Sequence, residues 1–216
     1  MIEQLVDGPE VTVVGFSSRG SFRGLVVTDR VVAEPPAFGV ALAHVFPSGA
    51  PELERAIEIA GRAAEALGIA NGPTYTQLRI GPDGPQVVEL AARLGGGHDA
   101  ELAEVVTGFP LNRATIAAAL GEDPPPNEAP GAPAAVTRFL VAPPGELRSV
   151  SGVEEAEAAD GVQYVRVYRR PGQQIEPLRH GPDRAGAILA VGDTREEALE
   201  RAERAAALVR FETGNG

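Results

Sequence analysis

Three residue types in one short stretch can do chemistry together: Gln77, Glu89 and Arg93, followed by Gly95-Gly96-Gly97. Thr74 to Ile80 is β-branched and alternating, Gly81-Pro82-Asp83-Gly84 is a turn signal, and Gln86 to Leu90 reads as the return strand of a hairpin. Alternation with period two puts Tyr75, Gln77 and Arg79 on one face of the first strand. The same rule puts Val87 and Glu89 on one face of the second, with Arg93 just beyond. An acid, an amide and an arginine then open onto a glycine turn that lets backbone approach a ligand closely. A carboxylate suits a hard cation such as Mg²⁺, and a guanidinium binds phosphate oxygens bidentately. The plainer alternative is a surface hairpin with a Glu–Arg ion pair.

The elements that must position these groups follow from the rest of the chain. Glu10 to Phe16 and Ser21 to Ala33 read as strands of an antiparallel meander. Phe38 to Ser48 reads as a loop that carries His44. Pro51 to Leu67 has apolar residues at helical spacing (Leu53, Ile57, Ala60, Ala64 and Leu67), with Gly68 to end it. Two short helices follow the hairpin, at Asp99 to Thr107 and Leu111 to Leu120. Five prolines in Glu122 to Pro133 mark a linker. Beyond it, strands at Ala134 to Val141, Val162 to Tyr168 and Arg184 to Val191 combine with helices at Val153 to Ala159 and Thr194 to Val209. Thr194 is the expected N-cap of the last helix, with Glu197 three residues on. The expected fold class is α+β, with domains at 1–125 and 134–216 joined by a proline-rich linker at 126–133.

Composition narrows the function. The chain has 216 residues, a net charge of −11 and no cysteine, so disulfides and thiolate metal sites are excluded. The acidity disfavours nucleic acid and anionic membranes as partners. No apolar run approaches the ~20 residues of a membrane span, and no signal peptide is recognisable, so a cytoplasmic protein is expected. All 19 basic residues are arginine. No phosphate-binding or catalytic lysine can therefore come from this sequence.

Several motifs, in order, resemble the C-terminal portion of an ATP-grasp carboxylate–amine ligase, in the branch of the L-amino acid ligases and carbamoyl-phosphate-synthase-like enzymes. Glu3-Gln4-Leu5-Val6-Asp7-Gly8-Pro9-Glu10 resembles the hinge that holds adenine and ribose. Glu89 to Gly97 resembles the metal-Glu and phosphate-Arg segment, and Val105 to Leu111 the helix break after it. The stretch from Ala134 onward, with Arg184-Ala185-Gly186 and Thr194 to Ala198, resembles the small C-terminal domain of L-amino acid ligases. The resemblance implies ATP and Mg²⁺ as cofactors. It implies Glu3, Gln4, Val6 and Glu10 as nucleotide contacts, Glu89 and Gln77 as metal positions, Arg93 as the catalytic arginine and His44 as a substrate contact.

Departures from the pattern sit at functional positions. Gln77 stands where the family usually has a metal acid, Tyr75 where this branch often has His, and Ala41 where an acid often meets the substrate amine. The family's lysines and glycine-rich covering loop are expected from elsewhere, such as a second chain. The other expectation is a degenerate, non-catalytic binding module. A homodimer covering Met1 to Phe16 is expected, because Ile2, Leu5, Val11 and Val13 lie there.

Overall fold

The structure, a computed structural model, describes residues 4–37, 39–128 and 131–214. The chain divides into two compact units, one of Met1–Arg30 with Phe46–Ala132 and the other of Val31–Val45 with Pro133–Gly216.

In the first unit, strands β1 (Glu10–Ser18), β2 (Ser21–Val32), β4 (Gly72–Gly81) and β5 (Gly84–Ala91) form an antiparallel sheet in the order β5-β4-β1-β2. Alternation separates its two faces. Val11, Val13, Val27, Leu78 and Ile80 point one way and pack on Ala56 and Ala60 of α1 (Leu53–Ala66). The alanines bring that helix close to the sheet. Phe16, on the other face, meets Phe109 edge-on at 5.5 Å. Phe109 sits between α2 (Asp99–Thr107) and α3 (Leu111–Ala119). Gly108 ends α2 with φ of 68°, a conformation that favours glycine.

β1 pairs on both sides, with β2 and with β4, so it is an interior strand. The expectation that Val11 and Val13 lie uncovered is therefore corrected: both are fully buried. Among the described residues of this end, Leu5 presents apolar surface, 73% exposed; Ile2 lies outside the described residues. The proline-rich stretch after α3 is tied down where it is described. Asn127 Nδ2 donates to the Thr107 carbonyl at 2.9 Å, Glu128 N to that of Gly108 at 2.8 Å, and Ala132 N to that of Val105 at 2.8 Å.

In the second unit, β6 (Ala134–Leu140), β10 (Gly186–Gly192) and β8 (Val162–Val167) run antiparallel beside β3 (Ala41–Phe46). The expected loop at 38–48 is thus largely a strand. Its small residues, Ala41 and Ala43, fill buried positions that a scan for bulky alternation passes over. α4 (Val153–Glu157) and α5 (Arg195–Leu208) pack against this sheet. Ala198, Ala202 and Ala205 of α5 are completely buried. A second, three-stranded sheet of β11 (Arg210–Gly214), β7 (Gly145–Ser151) and β9 (Gln174–Ile175) was not expected; its strands are short and partly exposed.

The cap of α5 forms as its sequence implies. Glu197 N donates to Thr194 Oγ1 at 3.1 Å, and the Glu197 carboxylate accepts from Asp193 N at 2.7 Å. Thr194→Ala is expected to lower stability by about 1 kcal/mol. Urea denaturation of the two proteins checks this, and Thr194→Ser should restore most of the loss.

Candidate functional site

Strand pairing assembles the site on the polar face of the first unit's sheet. Thr28 pairs with Thr12, Thr12 with Gln77, and Gln77 with Glu89, so one cross-strand row ends on an amide and a carboxylate. The next row runs Glu10, Arg79, Gln86. Tyr75, Gln77 and Arg79 share this face, opposite Leu78 and Ile80.

Glu89 reaches the row through a β-bulge. Gln77 pairs with Glu89 but Leu78 pairs with Val87, which leaves Val88 as an extra residue. Strict alternation is broken there, and Val87 follows Leu78 to the face that α1 covers. The expectation that Val87 and Glu89 share a face is corrected by this bulge. A bulge re-aims the side chain beside it.

Around Glu89 the groups are open. Arg93 Nη2 lies 3.9 Å from Glu89 Oε1, and both side chains are more than half exposed. Such a pair contributes about 0–1 kcal/mol to stability. Arg93 Nη1 donates to the Leu94 carbonyl at 2.8 Å, and its guanidinium lies 5.8 Å from the centre of the Tyr75 ring. Tyr75 is buried beneath. Its hydroxyl accepts from Thr12 Oγ1 and Gln77 Nε2, each at 3.4 Å. Burial raises the Tyr75 pKa and the nearby Asp99 charge adds to the rise, so the phenol stays neutral and is no base.

Asp99 was missed in the sequence. It is buried at the start of α2, where its Oδ2 accepts Gly97 N–H at 3.1 Å. A Cβ on Gly95 would overlap the Asp99 carboxylate and lie 2.6 Å from Tyr75 Cδ2. This crowding explains the glycine at 95 and shapes the turn that follows Arg93. The signal was an acid two residues after a glycine run.

The hinge candidates are joined to the same sheet. Glu10 accepts from Arg30 and, at 3.5 Å, from Arg79 Nη2. Arg79 Nη1 also donates to the Val6 carbonyl at 3.1 Å, and Ile80 N donates to the Pro9 carbonyl at 3.0 Å. Val6 and Glu10 are thus pinned to β4 through Arg79, while Gln4 is exposed. Glu3 lies outside the described residues. His44 belongs to the second unit. It is 2% exposed on β3, with its ring edge-on to Phe139 at 5.8 Å. That is a core position, not the loop that was expected.

Among the described residues, no three His, Asp or Glu side chains gather in a metal-binding group. The strand pairing brings Gln77, which has an amide oxygen, beside the carboxylate-bearing Glu89, the donor types a hard cation prefers.

The open antiparallel sheet, covered by a helix on one face, has the fold of the C-terminal portion of an ATP-grasp ligase. Residues 138–214 match the family described as L-amino acid ligase C-terminal domain 2. An L-amino acid ligase from Bacillus licheniformis superposes with a TM-score of 0.82 at 25% identity, over 98% of this chain and 56% of that one. Phosphoribosylglycinamide synthetase from Anaerococcus prevotii shares the fold, with a TM-score of 0.87 at 15% identity over 98% of this chain and 55% of that one. Among curated proteins, the uncharacterized protein y4rH of Sinorhizobium fredii (strain NBRC 101917 / NGR234) is 30% identical over 211 residues, which is 92% of this chain and 41% of the relative. The chain spans about half the length of the proteins it matches. No helix among the described residues is long and apolar enough to cross a membrane.

Proposed function

We propose that this chain supplies one half of the site of an ATP-dependent carboxylate–amine ligase of amino-acid or peptide type. The observation that carries the reading is the register of Gln77 with Glu89, set by the Val88 bulge, with Arg93 at 3.9 Å from Glu89. ATP, when bound, supplies the phosphoryl group that activates a carboxylate for attack by an amine. Glu89 and the Gln77 oxygen would hold the accompanying Mg²⁺. Arg93, whose guanidinium lies 5.8 Å from the centre of the neutral Tyr75 ring, would meet the phosphoryl oxygens. Phosphoryl transfer needs mainly such positioning and charge neutralisation. Gln4, Val6 and Glu10 would contact base and ribose, with Arg79 fixing the last two. The ammonium contacts to the phosphates come from outside this sequence, which has no lysine. A preceding segment or a second chain provides them. Leu5 is where such a partner, or a second copy, makes apolar contact. The cytoplasm, where ATP is abundant, is the proposed location.

A second reading is a non-catalytic module. Gln77 favours it, because an amide oxygen is a weaker magnesium ligand than a carboxylate. Titration calorimetry with Mg·ATP separates the two. The chain alone lacks at least two charge-assisted phosphate contacts, each of about 1.5–3 kcal/mol. It should bind at least about 100-fold more weakly than the chain joined to its lysine-bearing half. Micromolar binding by the chain alone would contradict the reading. Equal, weak binding in both forms would favour the non-catalytic module.

A further inference from the structure

Asp99 is an acid of the first unit that the ligase reading leaves without a task. It is the first residue of α2 and, at 2% exposure, the most deeply buried acid among the described residues. An acid in the first turn of a helix ordinarily stays in water and favours the helix dipole. Burying a carboxylate is costly unless it is engaged. Asp99 reaches backwards along the chain: its Oδ2 accepts the N–H of Gly97 at 3.1 Å. His98, between them, has φ of 59°, a left-handed conformation that is uncommon for a residue with a Cβ. The chain turns there, and the carboxylate comes to lie beneath the glycines.

What Asp99 engages is the turn beside the Glu89–Arg93 edge. A Cβ on Gly95 would overlap the Asp99 carboxylate and lie 2.6 Å from Tyr75 Cδ2, so carboxylate and ring meet beneath that residue. The same Tyr75 ring carries the Arg93 guanidinium 5.8 Å from its centre. Residues 93–97 are therefore seated at three points: Arg93 on the ring, Gly95 on the ring and the carboxylate, and Gly97 on the carboxylate. The outer side of the turn is open. Gly96 is exposed, and a Cβ there would meet nothing within 4 Å.

We propose that Asp99 is a positioning residue for carboxylate activation: it clamps residues 93–97 from beneath, so that Arg93 meets the phosphoryl oxygens in one geometry. The inference rests on the ligase reading. Asp99 lies under the turn and acts through the Gly97 amide and the seat of Gly95. An open turn that carries an exposed arginine samples many positions unless it is held. A displacement of about 1 Å at a reacting group can cost about 100-fold in rate. An ordinary acid at a helix start would affect stability alone.

The test assays the protein joined to its lysine-bearing half for hydroxamate formation with Mg·ATP, amino acids and hydroxylamine. Asp99→Ala should lower kcat about 30-fold or more while KM for Mg·ATP stays within about twofold, because the hinge at Val6 and Glu10 is untouched. Asp99→Asn keeps an acceptor for the Gly97 amide and should recover to within about fivefold of wild type. Alanine suits a helix and removes a buried charge, so the first variant is expected to fold. Asp99→Leu keeps the branched shape without the acceptor and repeats the test should alanine leave a void. Thr107→Ala removes the Thr107 Oγ1 bond to the Ala103 carbonyl at the far end of α2, controls for lost stability and should leave kcat unchanged. In the full chain alone, labelled with ¹⁵N, the Gly97 amide should exchange at least about tenfold faster in Asp99→Ala and near the wild-type rate in Asp99→Asn. No hydroxamate from the wild-type protein with any amino acid would overturn the ligase reading and this inference with it. Hydroxamate from the wild type with an undiminished kcat in Asp99→Ala would overturn this inference alone. Unchanged Gly97 exchange in Asp99→Ala, an equal loss of kcat in Thr107→Ala, or an Asp99→Asn no better than Asp99→Ala would do the same.

Discussion

Val13→Lys unfolds the first unit. Val13 is completely buried, paired with Val27 on one side and Thr76 on the other. It packs among Leu78, Ala56 and Ala60 under α1. A lysine there either loses its charge or drags water into a packed core, and both routes are costly. The expected loss is about 4 kcal/mol or more, at the extreme of single substitutions. Urea denaturation followed by circular dichroism measures it, and amide dispersion shows which unit collapses. Were Val13 on an exposed edge, the same variant would stay folded with a near-native midpoint and merely change self-association. That result would contradict the interior placement of β1.

Glu10→Ala is the second large effect. Glu10 and Arg30 are both largely buried, with side-chain exposures of 12% and 14%, and Arg79 is only 25% exposed. Removing the carboxylate leaves two guanidinium groups facing one another where water screens them poorly. Breaking one partner of a buried pair costs about 3–5 kcal/mol. Partial exposure of Arg79 places the expected loss near the lower end, about 3 kcal/mol. By contrast, Asp123→Ala breaks the wide-open pair with Arg19, with exposures of 68% and 78%, and should cost about 0–1 kcal/mol. Adding Arg79→Met to Glu10→Ala removes the repulsion, so the double variant should lose less than the sum of the single losses, by about 1–3 kcal/mol. Denaturation midpoints of the four proteins give that coupling. Strict additivity would show that Glu10 acts alone.

The same residues show what a sequence can and cannot disclose. The β4–β5 hairpin was legible because Gly81 to Gly84 announces a turn between two alternating runs. α1 was legible from the spacing of Leu53, Ile57, Ala60 and Ala64, although Leu67, expected on the same face, is 65% exposed past its end, and the Thr194 cap from a single hydroxyl and an acid three residues on. These signals are local. The bulge at Val88 was not legible, because a bulge belongs to the pairing of two strands and not to either one. Glu10 carried no mark of its partners, which lie 20 and 69 residues away and meet it only through the β1 pairings. Asp99 looked like an ordinary acid in the first turn of a helix; only the fold places it under Gly95 and beside Tyr75. β3 was hidden by its small side chains and by the prolines that flank it.

The central claim is that Glu89 and Arg93 form the metal- and phosphate-handling edge of a carboxylate-activating site. Its most direct test traps the activated carboxylate. The protein, joined to the half that carries the phosphate-binding lysines, is incubated with Mg·ATP, a panel of amino acids and hydroxylamine, and hydroxamate is measured. Hydroxamate is expected to form with at least one amino acid and to require Mg²⁺. Glu89→Ala and Arg93→Ala are each expected to reduce it by at least about 100-fold, as loss of one transition-state contact of about 3 kcal/mol does. Both variants should keep the wild-type denaturation midpoint within about 1 kcal/mol, because the Glu89–Arg93 pair is exposed. Hydroxamate formation by Glu89→Ala at the wild-type rate would contradict the account.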